Sequence, residues 1–148
     1  MGLTAEQLRG SLDALAKREK RIGAALKATG YPEPRLRERG YTTLLRTIVG
    51  QQVSVAAAAS VWNKLEAQLG AGCAPEKLIA QDFDALRACG LSRQKQGYAR
   101  SLAELVITGA LPLHALPADD EEAIAYLTQV KGIGRWSAEI YLLFAEGR

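Results

Sequence analysis

A chain of 148 residues with 48% hydrophobic and 24% charged side chains suits one soluble domain with its own core, and excludes a disordered tail or a fibrous repeat. Nineteen Lys and Arg against sixteen Asp and Glu leave a net charge of +3, which permits a polyanionic partner without requiring one. Two cysteines, Cys73 and Cys89, in no paired spacing exclude a four-cysteine metal cluster within these residues, and no apolar run reaches membrane-spanning length.

In chain order, Thr4 and Gln7 make a capping-box pattern ahead of a stripe of Leu8, Leu12 and Leu15. The basic run from Lys17 to Arg21 interrupts the stripe before Ile22, Ala25 and Leu26 resume it. The pattern predicts two short helices or one bent helix, with the charges on a solvated face. Gly30 and the prolines Pro32 and Pro34 end it. A helix from about Thr43 to Val49, with Leu44, Leu45, Ile48 and Val49, stops at Gly50-Gln51-Gln52. Ser54 caps the next, whose stripe of Val55, Ala58, Ala59, Trp62, Leu65 and Leu69 and small run Ala56 to Ala59 predict a central, closely packed helix ended by Gly70. Pro75 starts a short helix, Asp82 caps another holding Phe83 and Leu86, and Gly90 closes it. Ser92 caps a longer helix bearing Tyr98, Leu102, Leu105 and Val106, with Lys95 near its start as a candidate phosphate contact. Nothing alternates long enough to predict a strand, so the fold class is all-α.

The last stretch pairs two short helices. Asp119 or Asp120 opens one that carries Ile124 and Leu127, and Trp136, Ile140, Leu143 and Phe144 recur at helical spacing in the other. Between them lies Lys131-Gly132-Ile133-Gly134. The two glycines are expected at positive φ, and the amides opening the second helix have no partner inside it, so the turn is a ready anion site. Lys131 and Arg135 point to phosphate as the anion. The plainer alternative is a helical hairpin whose glycines only end one helix and start another.

The stretch Val130-Lys-Gly-Ile-Gly-Arg-Trp-Ser-Ala-Glu139 resembles the helix-hairpin-helix element of DNA glycosylases, and most of all the DNA-3-methyladenine glycosylase II branch. The upstream stretch Ile48-Val-Gly-Gln-Gln-Val-Ser-Val-Ala-Ala57 resembles the loop and helix start that press into DNA in that branch. The resemblance implies a single helix-hairpin-helix glycosylase domain over residues 1–148, with the hairpin at about 120–146 and without the family's C-terminal helices.

That family's partner is double-stranded DNA with alkylated bases. Its members rotate the damaged nucleotide out of the stack, because a base inside a duplex cannot be reached. On this chain the inserted side chain falls on Gln52, with Gln51 and Ser54 beside it. Amides near Gly132, Ile133 and Gly134, helped by Lys131, Arg135 and Lys95, would hold the backbone. The carbonyls of Thr128, Val130 and Gly132 would hold a Na+ or K+ ion; no other cofactor and no iron–sulfur cluster is expected.

Trp136 stands where strand-cutting relatives carry a Schiff-base lysine. It implies hydrolysis of the glycosidic bond alone, with the indole, and Tyr141 nearby, facing a positively charged everted purine. The family's catalytic aspartate falls beyond Arg148, and Glu139 and Glu146 lack its spacing, so no catalytic residue is expected within this chain. Two competing readings are a non-catalytic hairpin module that grips duplex DNA and a helical domain with a protein partner. Leu142, Leu143, Phe144 and Ala145 occupy more than one face of the last helix, which predicts either self-association by pairing with another copy or the loss of helices that normally close the core. Without a basic leader or membrane span, the expected compartment is the cytoplasm.

Overall fold

Local capping chemistry sets the helix starts of this chain. In a computed structural model, which describes residues 3–148, the described residues form helices and no strands. They divide into two compact units, the first made of the segments up to Glu38 and from Leu142 onward, the second of Arg39–Tyr141.

In the first unit, α1 spans Ala5–Arg18 and α2 spans Lys20–Thr29. The capping box is complete: the Gln7 amide donates to Thr4 Oγ1 at 3.2 Å, and the Thr4 amide donates to Gln7 Oε1 at 2.9 Å. Between the helices Glu19 is extended, at φ −128° and ψ 106°, and its carboxylate accepts the Arg21 amide at 3.0 Å. A side-chain cap thus restarts the helix, giving two helices instead of one bent one. Leu142–Glu146 form a single π-helical turn. The Arg37 amide donates to the Phe144 carbonyl at 2.9 Å, and the Arg37 guanidinium lies 5.9 Å from the Phe144 ring centroid. Leu142 and Ala145 are buried. Leu143, between them, is exposed.

In the second unit, α3 (Tyr41–Val49) buries Leu44, Leu45, Ile48 and Val49. Helix α4 (Val55–Leu69) starts at Ser54, whose Oγ accepts the Ala57 amide at 3.1 Å, and it buries Trp62, Leu65 and Leu69. Its first turns do not match the expectation of a closely packed central helix. Val55 is 89% exposed, and Ala56, Ala57 and Ala59 are exposed as well. Small side chains permit close approach but supply little apolar area to drive it.

The central position belongs to a later helix. After α5 (Pro75–Ile79) and α6 (Phe83–Ala88, capped by Asp82), helix α7 (Arg93–Ile107) packs against α3, α5 and α6. It buries Gln96, Ala99, Leu102 and Ala103. Gln96 is tolerated there because its amide donates to the carbonyls of Phe83 at 3.1 Å and Leu91 at 3.2 Å. Asp119 caps α8 (Asp120–Leu127), and α9 (Arg135–Tyr141) follows the glycine turn. No described helix is long and apolar enough to cross a membrane.

Candidate nucleic-acid interface

The turn between α8 and α9 is anchored from below by Val130 and Ile133, both buried. Gly132 sits at φ +83°, where only glycine is unstrained, and a Cβ added to it would lie 2.2 Å from the Tyr98 ring. Gly132 is therefore fixed by the fold itself. Gly134 differs from the expectation that both glycines share this conformation. Its φ is not positive, and a Cβ there would meet nothing within 4 Å. No internal contact demands a glycine at 134, so the bare backbone is left open to an outside partner.

One face of α7 carries the turn. Tyr98 lies under Gly132, and the Ser101 hydroxyl accepts the Lys131 amide at 3.1 Å. One turn earlier, Lys95 Nζ donates to the Val49 carbonyl at 2.7 Å, at the end of α3 and just before the Gly-Gln-Gln loop. Residues 95, 98 and 101 recur every three positions and so share a face. Lys95, expected as a phosphate contact, is thus bonded to the end of α3 in this structure. It satisfies a carbonyl that α3 leaves without a partner, and partial burial lowers its pKa. Lys95→Met is expected to cost about 1–2 kcal/mol of unfolding free energy while leaving the salt dependence of DNA affinity unchanged. A shallower salt slope would restore the phosphate role.

The Gly-Gln-Gln loop reaches the same turn from the other side. Gln51 Nε2 donates to the Gly132 carbonyl at 2.8 Å, across 81 positions of sequence. Gln52 is exposed, with φ +54°. A non-glycine residue in that region is uncommon and holds about 1–3 kcal/mol of strain that its surroundings must impose. Ser54 is exposed, and its hydroxyl is the cap of α4.

The charges are distributed unlike the sequence expectation. Arg135 faces Glu121 with both terminal nitrogens, one at 2.9 Å, and its Nε donates to Glu139 at 2.8 Å. Hydrogen bonding from Arg135 lowers the pKa of Glu121, and the two carboxylates raise that of Arg135. In this structure its charge is paired with these two exposed carboxylates. Lys131 is exposed and, among the described residues, makes no ion pair, so it is the cation the turn still offers.

Backbone groups of the turn are partly used as well. The Ile133 amide donates to the Val130 carbonyl at 3.0 Å, which removes it from the set of amides expected to hold phosphate. Those expected at Gly132 and Gly134 have no such internal bond among the described residues. The carbonyls of Val130 and Gly132 each accept one internal bond and keep a second lone pair. Together with Thr128, these neutral oxygens suit a hard monovalent cation.

Trp136 begins the exposed face of α9 and is 75% exposed. It shares a sequence stripe with Ile140 and Phe144, yet the helix buries Ala138 and Tyr141 instead. Tyr141 is corrected from pocket wall to core: it is 3% exposed, and its hydroxyl accepts the Gly40 amide at 2.8 Å. The structure thus brings Gln51, Gln52, Gly132 and Lys131 to one place and engages Lys95, Arg135 and Tyr141 in bonds within the protein. Sequence reading missed Tyr98 and Ser101, whose three-residue spacing from Lys95 was the available signal.

Residues 45–144 match the family model described as HhH-GPD superfamily base excision DNA repair protein. The chain is similar to DNA-3-methyladenine glycosylase 1 of Schizosaccharomyces pombe, with 38% identity over 73% of this chain and 49% of that protein. It is also similar to DNA-3-methyladenine glycosylase 2 of Escherichia coli, with 32% identity over 82% of this chain and 48% of that protein. It thus spans about half the length of these two relatives. Among solved structures, a 3-methyladenine DNA glycosylase of Schizosaccharomyces pombe in complex with abasic DNA superimposes with a TM-score of 0.77 and 32% identity, over 92% of this chain and 69% of that one. An all-helical fold, a glycine turn carried on α7 and a family match over 45–144 agree, and the chain belongs to the HhH-GPD superfamily of base excision DNA repair proteins.

Proposed function

We propose that this chain is the DNA-gripping part of a DNA glycosylase that everts an alkylated purine of the 3-methyladenine type from duplex DNA and hydrolyses its glycosidic bond, leaving the strand uncut. The observation that carries this reading is the exposed indole of Trp136, held where α9 leaves the glycine turn. An N-alkylated purine carries a positive charge, and an electron-rich ring attracts a cation placed over its face. Such a base leaves readily, so the enzyme has to hold it, stabilise the positive sugar and position water. An amine is not required, and an indole cannot form a Schiff base.

In this reading Gln52 enters the gap left by the everted nucleotide, while Lys131 and the amides of Gly132 and Gly134 hold the backbone beside it. A Na+ or K+ ion on the carbonyls of Thr128, Val130 and Gly132 would add positive charge facing a phosphate. The carboxylate that such a reaction needs to stabilise the sugar is not assigned to any residue of this chain. The work is done in the compartment that holds the chromosome, which for a cell without a nucleus is the cytoplasm.

The test is incubation with an alkylated duplex, scoring free base and alkali-labile sites, using this chain and a version carrying whatever follows Arg148 in its reading frame. The reading expects free purine from the longer form and strand breaks only after alkali. Strand cleavage before alkali would overturn the hydrolytic mechanism. Tight binding of the alkylated duplex with no base released by the longer form would favour a non-catalytic DNA-binding module.

A further inference from the structure

The resemblance assigns Gln51 to the side chains that enter or flank the DNA gap, but its amide is already engaged. Nε2 donates to the Gly132 carbonyl at 2.8 Å, and this bond joins the Gly-Gln-Gln loop to the turn that faces the backbone. The next residue, Gln52, is held at φ +54°. The strained backbone is bracketed by the Gln51 bond on one side and the Ser54 cap on the other. A left-handed glutamine persists only where such neighbours over-determine it. On the α3 side of the loop, Lys95 fixes the Val49 carbonyl, and on the turn side Tyr98 and Ser101 fix Gly132 and Lys131. Both ends of the Gln51 bond are therefore mounted on a single face of α7, and this bond closes the circuit between them.

We infer that Gln51 is a positioning residue that locks the Gly-Gln-Gln loop to the glycine turn, so that Gln52 alone is presented for insertion and moves in register with the backbone clasp. The functional half of this inference rests on the proposed DNA reading; the mechanical half does not. A side chain spent on Gly132 cannot also fill a gap in the stack. Because its acceptor is a main-chain oxygen, the lock is tested by substituting Gln51, whose side chain makes it.

The test separates the two halves. Gln51→Met keeps bulk and length but removes the donor, and Gln51→Glu places a carboxylate against the carbonyl oxygen. In the free protein, amide hydrogen exchange at residues 51–53 is expected to rise about fivefold in either variant, the weight of one ordinary hydrogen bond. Exchange within α3 and α4 should stay as in the parent. Gln52→Ala, which keeps the lock and deletes the inserted group, should leave loop exchange unchanged.

On a duplex with an abasic analogue opposite 2-aminopurine, the fluorescence change at saturating protein is expected to fall about fivefold in Gln51→Met. Gln52→Ala should lose that signal too. Affinity of Gln51→Met for undamaged duplex should change by less than about twofold, because the residue makes no phosphate contact. Unchanged loop exchange in Gln51→Met would overturn the inference. So would a parallel loss of affinity for undamaged duplex, which would make Gln51 a direct DNA contact. If the parent chain gives no fluorescence change while Gln51→Met still loosens the loop, the lock stands and the DNA reading fails.

Discussion

Gly132→Ala is expected to lose about 2–4 kcal/mol of unfolding free energy, while Gly134→Ala, two residues away, stays within about 0.5 kcal/mol of the parent. Two separate costs meet at 132. The backbone at φ +83° penalises any side chain, and the added Cβ would lie 2.2 Å from the Tyr98 ring, which α7 holds in place. Tyr98→Ala in the same chain should remove the second cost and keep the first, so the double substitution should be less destabilising than the sum of the singles. At Gly134 neither cost applies, since φ is ordinary and an added methyl would have nothing within 4 Å. Its substitution should instead weaken binding to duplex DNA, where backbone must come close. Urea unfolding of the parent and the four variants, read with duplex affinity, checks both statements. Equal stability loss at the two glycines would show that the turn is a structural hairpin and nothing more.

This contrast also marks how far the sequence could be read. Helix starts were legible because a cap is local chemistry, settled within three residues: Thr4, Ser54, Asp82, Ser92 and Asp119 all serve as caps. The two motifs were legible as motifs. Their meeting was not, because the Gln51 bond to Gly132 spans 81 positions and one of its partners is a main-chain oxygen that leaves no mark on side-chain identity. The same limit hid the partners of the charges. Arg135 beside a glycine turn suggests phosphate, and only the fold brings Glu121 back against it.

Lys95 at a helix start suggests an exposed grip, whereas the fold spends it on the end of α3. Periodicity failed on α4 for a different reason. Its alanine run fits a packed stripe in pattern but not in area, and the longer side chains Trp62, Leu65 and Leu69 decide which face turns inward. On α9 the reading followed Trp136 and Ile140, while the residues that settle into the core are Ala138 and Tyr141. The side chain on which the proposed function rests is thus one whose exposure runs against its own hydrophobicity.

Trp136→Ala is accordingly expected to leave stability within about 0.5 kcal/mol, because the indole is 75% exposed and its removal opens no cavity. The same change should weaken binding to a duplex bearing an N-methylated purine on a hydrolysis-resistant fluorosugar by about 10- to 100-fold, the worth of stacking one base on an aromatic ring. Affinity for undamaged duplex should hold, since the proposed backbone clasp of Lys131 and the glycine turn is left intact. Trp136→Phe should keep part of the discrimination and Trp136→Leu little of it, because a quadrupole attracts the charged purine and a branched alkyl group of similar reach does not. Fluorescence anisotropy with matched methylated and undamaged duplexes reads the two affinities directly. An equal loss on both duplexes would make Trp136 a general DNA contact, and no loss on either would remove it from the base pocket. Retained discrimination in Trp136→Leu would show that shape, not charge, selects the base.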